Sequence, residues 1–442
     1  MSLFLDWNYR LVQRLRGERV YEALEQIEKS QWYEPDKFAR IQWQQLKTMI
    51  SHAYENVPYY RHKFNLAALV PDQVRDRSDF RKVPILTKKD LREPSHSIKA
   101  QDQNYAFSSY SSSGSTGPSS MVLVDRTAAA FRHAAVFRMR KWMGLDIGDR
   151  MIMFWGSQLD VKNRSIDYVK DLFLNRRTFS THALDNQQME EYCRSVRRFK
   201  PKLLYGFTSA IYQFAQFLTS RNQDFRNSGI KAVLVTGEPL FEYQRECMED
   251  TFGCPVYVQY GAEEFGPIAY ECPDGGLHVM AENVYVEVEE PVDSAGKGNL
   301  LITSLRNSVM PLIRYRLGDV GMLSENKCSC GRGLPMLKEI SGRSVDYIKT
   351  PDGKIMHGIN FDYLPKYFLK EIKQFKIEQT DLNTLSIVMV KEKGFDEHTV
   401  SRFEKKLREI VGNKLQIHYE FKTEIPREAT GKTRFVSTRL NS

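Results

Sequence analysis

The segment AVLVTGEPLFEYQRECMEDTFGCPVYVQYGAEE, residues 232–264, decides the fold class. Ala232 to Thr236 is a β-type apolar run that stops at Gly237-Glu238-Pro239, and Val256 to Gln259 is a second that stops at Tyr260-Gly261. Between them, Phe241 to Thr251 reads as helix. Strand, helix, strand in that order predicts an α/β sheet, in which ligands sit beyond the carboxyl ends of the strands. Both ends carry polar and acidic residues, which makes them site candidates.

Upstream, Ile41, Leu46, Met49, Ile50 and Ala53 recur at helical spacing until Val57-Pro58 stops the pattern, and the first ~100 residues read as mostly helical. Downstream, Asn283 to Glu287 and Leu300 to Thr303 form a hairpin-like pair with Gly296 and Gly298 in the connection. The character then changes. Gln374 to Glu378, Leu385 to Val390 and Leu415 to Phe421 read as strands, with Val400, Phe403, Leu407, Ile410 and Val411 on one helix face between the last two. A boundary close to Gly342 therefore predicts a large N-terminal α/β part, residues 1–342, and a small C-terminal α+β domain, residues 343–442.

The 442 residues carry 64 Lys+Arg against 55 Asp+Glu, a formal +9, and 41% are hydrophobic, enough for a sizeable core. No apolar run approaches the ~18 residues of a membrane helix, and the charged start lacks the pattern of a signal peptide. Six cysteines are too sparse for a disulfide framework. These features predict a cytoplasmic protein. Arg197, Arg198, Lys200 and Lys202 form a basic cluster, but without interleaved aromatics it reads as solvated surface, so nucleic acid is not an expected partner.

Ser108 to Ser120, SSYSSSGSTGPSS, is a loop whose glycines permit tight turns and whose hydroxyls and amides could surround phosphate oxygens, although it lacks the Gly-Lys-Ser/Thr ending of a P-loop. Alone, such a tract is more often a flexible loop. It is followed, in order, by Tyr260-Gly261-Ala262-Glu263-Glu264, Tyr315-Arg316-Leu317-Gly318-Asp319, Gly342-Arg343-Ser344-Val345-Asp346, and Pro426 with Gly431-Lys432. With these motifs the sequence resembles the adenylate-forming acyl and aryl ligases. It looks most like the phenylacetate–CoA ligase-like branch, which includes capsular-polysaccharide relatives.

The resemblance implies roles. Ser112, Ser113, Gly114, Ser115, Thr116 and Gly117 match the loop that holds the β- and γ-phosphates of ATP. Glu264 matches the acid that helps hold Mg2+, and Asp319 the acid that accepts from the ribose hydroxyls. Lys432 matches the lysine of a mobile C-terminal lid that neutralises charge as a carboxylate attacks the α-phosphate. Arg343 and Asp346 match the hinge of that lid. Gly237, Glu238, Tyr260 and Gly261 fall on the nucleotide side. Two departures stand out: Pro118 follows Gly117 where relatives commonly have lysine, removing a phosphate cation, and Glu263 replaces a threonine or serine.

Cys272 and His278, then Cys328 and Cys330, form a complete three-thiol, one-imidazole set for Zn2+. The spacing alone leaves unlinked buried cysteines equally open, whereas some relatives carry a similar site, which would be structural. Cys193, Cys247 and Cys254 read as core thiols. Trp155, Tyr205, Phe207, Tyr260 and Phe265 could line an aromatic acyl slot.

The reading is a Mg2+-ATP-dependent ligase that adenylates a small, aromatic carboxylic acid and transfers the acyl group to coenzyme A, with structural zinc. Alternatives are an amine or hydroxyl acceptor, and a nucleotide- and zinc-binding protein without turnover. The acid, the pathway and the oligomeric state stay open, a dimer included.

Overall fold

The computed structural model describes residues 17–93, 97–102, 105–111, 121–155, 171, 174–181, 184–291, 296–343, 347–352, 355–357, 361, 364–426, 435–438 and 440. The first described elements are helices α1 (Val20–Ser30), α2 (Pro35–Asn56), α3 (Pro58–Leu66), α4 (Arg77–Phe80) and α5 (Lys88–Arg92). Pro58 does stop α2, and it also starts α3, because its missing N–H and fixed φ suit the first helical position. A two-stranded ribbon follows, β1 (Phe107–Ser111) and β2 (Met121–Asp125), with Ser111 opposite Met121. Asp125 caps α6 (Arg126–Trp142) by accepting from Ala128 N at 2.9 Å.

The central sheet is built on β3 (Met151–Phe154), β4 (Arg176–Phe179), β5 (Leu203–Phe207), β6 (Ala232–Thr236) and β7 (Val256–Ala262). Helices α7 (Asn186–Phe199), α8 (Thr208–Ser220) and α9 (Glu242–Phe252) connect β4 through β7. The remaining strands are β8 (Gly266–Glu271), β9 (Leu277–Val279), β10 (Val284–Pro291), β11 (Gly298–Ser304), β12 (Tyr315–Ser324) and β13 (Met336–Arg343). Their order is β10-β11-β12-β13-β9-β8-β7-β6-β5-β3-β4. From β4 to β7 every pair is parallel, and beyond β7 every pair is antiparallel.

Alternation along the parallel strands assigns each face its own core. Met151, Leu203 and Leu234 join α2 and α6 in one core, whereas Ile152, Leu204, Val233 and Val235 meet Phe214 of α8 and Met248 of α9 in the other. Helices on both faces of a parallel sheet are what the quoted segment predicts. One detail differs. Tyr260 and Gly261 lie inside β7 rather than in a loop after it, because β7 continues into a tight antiparallel return with Gly261 opposite Pro267. A Cβ on Gly261 would stand 2.7 Å from Gly266 O, so only glycine permits this approach.

Buried polar groups tie the helical N-terminus to the sheet. Arg314 donates to the carbonyls of Arg81 and Val83 and pairs with Glu287, and the Tyr60 hydroxyl donates to Pro311 O at 2.9 Å while accepting from Ile313 N. Arg138 of α6 meets Glu282 through two contacts, 2.6 and 3.0 Å, and Ser30 of α1 donates to the same carboxylate. Breaking such a pair from one side costs about 3–5 kcal/mol, since the other charge is stranded.

After β14 (Tyr347–Lys349), β15 (Ile355–His357) and α10 (Leu364–Tyr367), a second sheet forms from β16 (Ile372–Asp381), β17 (Thr384–Lys391), β18 (Gln416–Lys422) and β19 (Val436–Thr438), with α11 (Thr399–Val411) packed on it. Its order is β18-β17-β16-β19, and its core centres on Ile377, Leu385, Ile387, Phe403 and Leu407. This is the small C-terminal α+β domain expected from the periodicity, with β19 added. Phe435, just before β19, packs its ring against Phe375 and against Phe241 of the large part, both with centroids 6.0 Å away. Among the described residues, no helix is long and apolar enough to cross a membrane.

Candidate active site and metal centre

The carboxyl ends of β3, β5, β6 and β7 bring Trp155, Phe207, Gly237 and Tyr260 to one edge. Trp155 stacks on Phe207 with centroids 4.4 Å apart and on Tyr205 at 5.8 Å. Burial pushes the Tyr205 phenol up to about 12. Phe265 is core instead, packed against Tyr315. The Glu238 carboxylate is already engaged: it accepts from Ser209 N at 2.7 Å and from Ser209 Oγ at 3.0 Å, capping α8. What this turn offers a ligand is therefore its backbone and the exposed Gly237 rather than the Glu238 acid.

Asp319 lies within β12 rather than in a loop, beside a register shift between Asp319 and Gly321, a device that re-aims side chains near sites. The Tyr260 hydroxyl donates to its Oδ2 at 2.7 Å. Asp319 is also the cross-strand partner of Arg343, the last residue of β13. Glu264 follows β7, is buried at 6% exposure, and accepts from the Tyr315 hydroxyl at 3.4 Å. Burial, reinforced by the Glu264 charge, holds the Tyr315 phenol far above its ordinary value, so it remains a donor. Arg132 of α6 donates to the carbonyls of Glu263 and Glu264, fixing the turn from behind.

Tyr260, Glu264 and Asp319 thus converge from β7 and β12. Ser112 to Gly117, Asp346 and Lys432 lie outside the described residues, although β1 and β2 bracket the Ser/Gly loop. Sequence reasoning missed Arg132 and Tyr315. Tyr315 stood in a quoted motif, four residues before Asp319, while nothing in the pattern marked Arg132.

The second constellation assembles. One ligand atom from each of Cys272, His278, Cys328 and Cys330 lies within 4.8 Å of the others. Cys272 Sγ is 3.6 Å from Cys328 Sγ, and His278 Nε2 is 3.2 Å from Cys330 Sγ. A Cβ on Gly276 would fall 2.7 Å from Cys328 Sγ and 3.1 Å from His278 Nε2, so the cradle requires glycine there. Burial lowers His278 to about 4, leaving the neutral imidazole that ligates, and raises Cys272 to about 12. Its other nitrogen faces Leu334 O at 3.4 Å, the kind of outer contact that orients a metal-binding imidazole. Three soft thiols and one imidazole fit zinc. Cys193, Cys247 and Cys254 lie away from this set, and burial raises each thiol, as suits core cysteines.

This fold, a large α/β part with a small C-terminal domain, is that of the adenylate-forming ligases. Over 93% of the chain and 92% of the other it superposes on 2-hydroxyisobutyryl-CoA ligase in its postadenylation state, with TM-score 0.76 and 19% identity; for the same ligase in the thioesterification state the score is 0.63. Residues 348–439 match the family described as CapK C-terminal domain. The chain is 24% identical to protein CapK of Staphylococcus aureus, across 81% of this chain and 80% of that protein. It is 27% identical to the phenylacetate-coenzyme A ligase of Escherichia coli (strain K12), across 77% of each. The resemblance carried by the motifs is thus borne out: the chain's homologues are phenylacetate–CoA ligases and CapK.

Proposed function

We propose that this protein is a Mg2+- and ATP-dependent ligase that activates a carboxylic acid as its acyl adenylate and passes the acyl group to coenzyme A. The observation that carries this reading is the convergence of Tyr260, Asp319 and Glu264 at one sheet edge, in a chain related to phenylacetate–CoA ligases over most of its length. Stacked Trp155, Tyr205 and Phe207 beside that edge support an aromatic acid.

In the first half-reaction a carboxylate oxygen attacks the α-phosphorus, an O–P bond forms, and pyrophosphate leaves with the electron pair of the bond that breaks. Asp319, oriented by Tyr260, accepts from the ribose hydroxyls. The hydroxyls and amides of Ser112 to Gly117 hold the outer phosphates, and Lys432 neutralises charge at the reacting phosphorus. Glu264 would hold Mg2+, which when bound would supply positive charge against the phosphates. In the second half-reaction the thiolate of coenzyme A attacks the acyl carbon and AMP leaves. Residues 1–342 and 343–442 act as two bodies turning about Arg343 and Asp346, so that one site serves both steps. The better superposition on a postadenylation state supports the lid standing in its adenylation pose here.

Cys272, His278, Cys328 and Cys330 hold one zinc ion in a closed, structural site. None of the six cysteines forms a disulfide, which suits a cytoplasmic protein. The deciding experiment is carboxylate-dependent exchange of labelled pyrophosphate into ATP across aromatic, aliphatic and amino acids, followed by acceptor trials with coenzyme A, amines and hydroxylamine. Exchange with an aromatic acid and thioester formation are expected. ATP binding without exchange would move the assignment to a non-catalytic nucleotide-binding protein, and hydroxamate without thioester would move it to another acceptor.

A further inference from the structure

Helix α5 is fixed by local chemistry to the wall of the site. Thr87 and Asp90 form a reciprocal capping box: Thr87 N donates to Asp90 Oδ2 at 2.9 Å, and Asp90 N donates to Thr87 Oγ1 at 3.3 Å. The preceding residue, Leu86, pairs with the start of β12, donating to Arg314 O at 3.2 Å and accepting from Arg316 N at 2.9 Å. Tyr315, between those two arginines, is the residue that reaches Glu264. Arg92 closes this helix.

Its guanidinium is anomalous. Nε and Nη2 are sealed from water and find no hydrogen-bond acceptor, and no described residue forms an ion pair with the group. Arg138 and Arg306 each leave one nitrogen so, yet Arg138 is clasped by Glu282, and Arg306 Nε donates to Glu282 O at 3.0 Å. A cation with two sealed, unused donors is a costly arrangement unless an anion completes it. The positive charge of Arg92 also bears on the Tyr315 hydroxyl, which places the group within electrostatic reach of the Glu264 corner. A guanidinium fork engages phosphate oxygens two at a time. The sequence also lacks a cation where Pro118 follows Gly117.

We propose that Arg92 binds the β- and γ-phosphates of ATP and supplies the cation that the Ser/Gly loop lacks. The proposal rests on the adenylation reading above.

The test is titration of the full chain with Mg2+-ATP and, separately, with AMP, for the parent protein, Arg92→Gln and Arg92→Lys. Arg92→Gln should weaken ATP about ten- to hundred-fold, as loss of charged hydrogen bonds does, while AMP, which lacks the outer phosphates, changes less than about two-fold. Arg92→Lys should recover part of the ATP affinity. Equal weakening of both nucleotides would show a merely structural residue, and unchanged ATP affinity in Arg92→Gln would show no role; either overturns the assignment while leaving adenylation intact. A parent protein that binds neither nucleotide would overturn both.

Discussion

The Tyr260 hydroxyl donates to Asp319 Oδ2 over 2.7 Å, joining the end of a parallel strand to an antiparallel strand 59 residues later. One carboxylate oxygen is thereby fixed, and the carboxylate is presented in one orientation. Tyr260→Phe should weaken adenosine nucleotides about five-fold, the ~1 kcal/mol of a single hydrogen bond, and Asp319→Asn should cost more because the charge is lost as well. Equilibrium titration with AMP checks both. Equal, negligible effects would detach Asp319 from the nucleotide.

On the proposed reading, Lys432 serves one half-reaction and not the other. Lys432→Ala should abolish most pyrophosphate exchange while leaving attack of coenzyme A on a supplied acyl adenylate close to the parent rate. Parallel loss in both assays would contradict a lid with two working poses.

Metal content is measurable without reference to turnover. Elemental analysis after gel filtration should find about one zinc per chain, and Cys328→Ser should lower both zinc content and melting temperature. Gly276→Ala should do the same without removing a ligand, because the added methyl would stand 2.7 Å from Cys328 Sγ. Protein purified without chelator and found free of zinc would refute the site.

Thiol chemistry gives a pH-dependent check. Burial raises Cys193 and Cys247 and pushes Cys254 up to about 12, so at pH 8 each is almost wholly in the unreactive thiol form. Native protein should resist alkylation at these three positions, with labelling accelerating as pH rises and completing on unfolding. Peptide mapping after brief treatment would expose the contrary case of a reactive thiolate.

The segment 232–264 made the parallel sheet legible because apolar runs, a helix and polar strand ends occur there without interruption, and the strand expected at Ala232 to Thr236 is the strand observed. The C-terminal domain was legible for the same reason of period. Strand β19 was not: three residues, Val436 to Thr438, carry too little pattern to be seen before a sheet accepts them. In the site, Glu264 and Asp319 were found through motifs, yet what holds them was hidden. Arg132 acts from a helix more than 100 residues away in the chain, where a single arginine looks like any surface charge. The occupation of the Glu238 carboxylate by Ser209 was equally invisible, since the two meet only through the sheet register.

The C-terminal sheet has one further consequence. Strand β18 pairs with β17 at one edge and β19 with β16 at the other, so the chain between them starts and finishes on opposite margins of the same four strands. Ile425 N donates to Gln374 Oε1 on the way, and Phe435 rests on Phe241 at the far side. Any movement of this four-stranded frame against the large part must make or break the seat between those two phenyl rings.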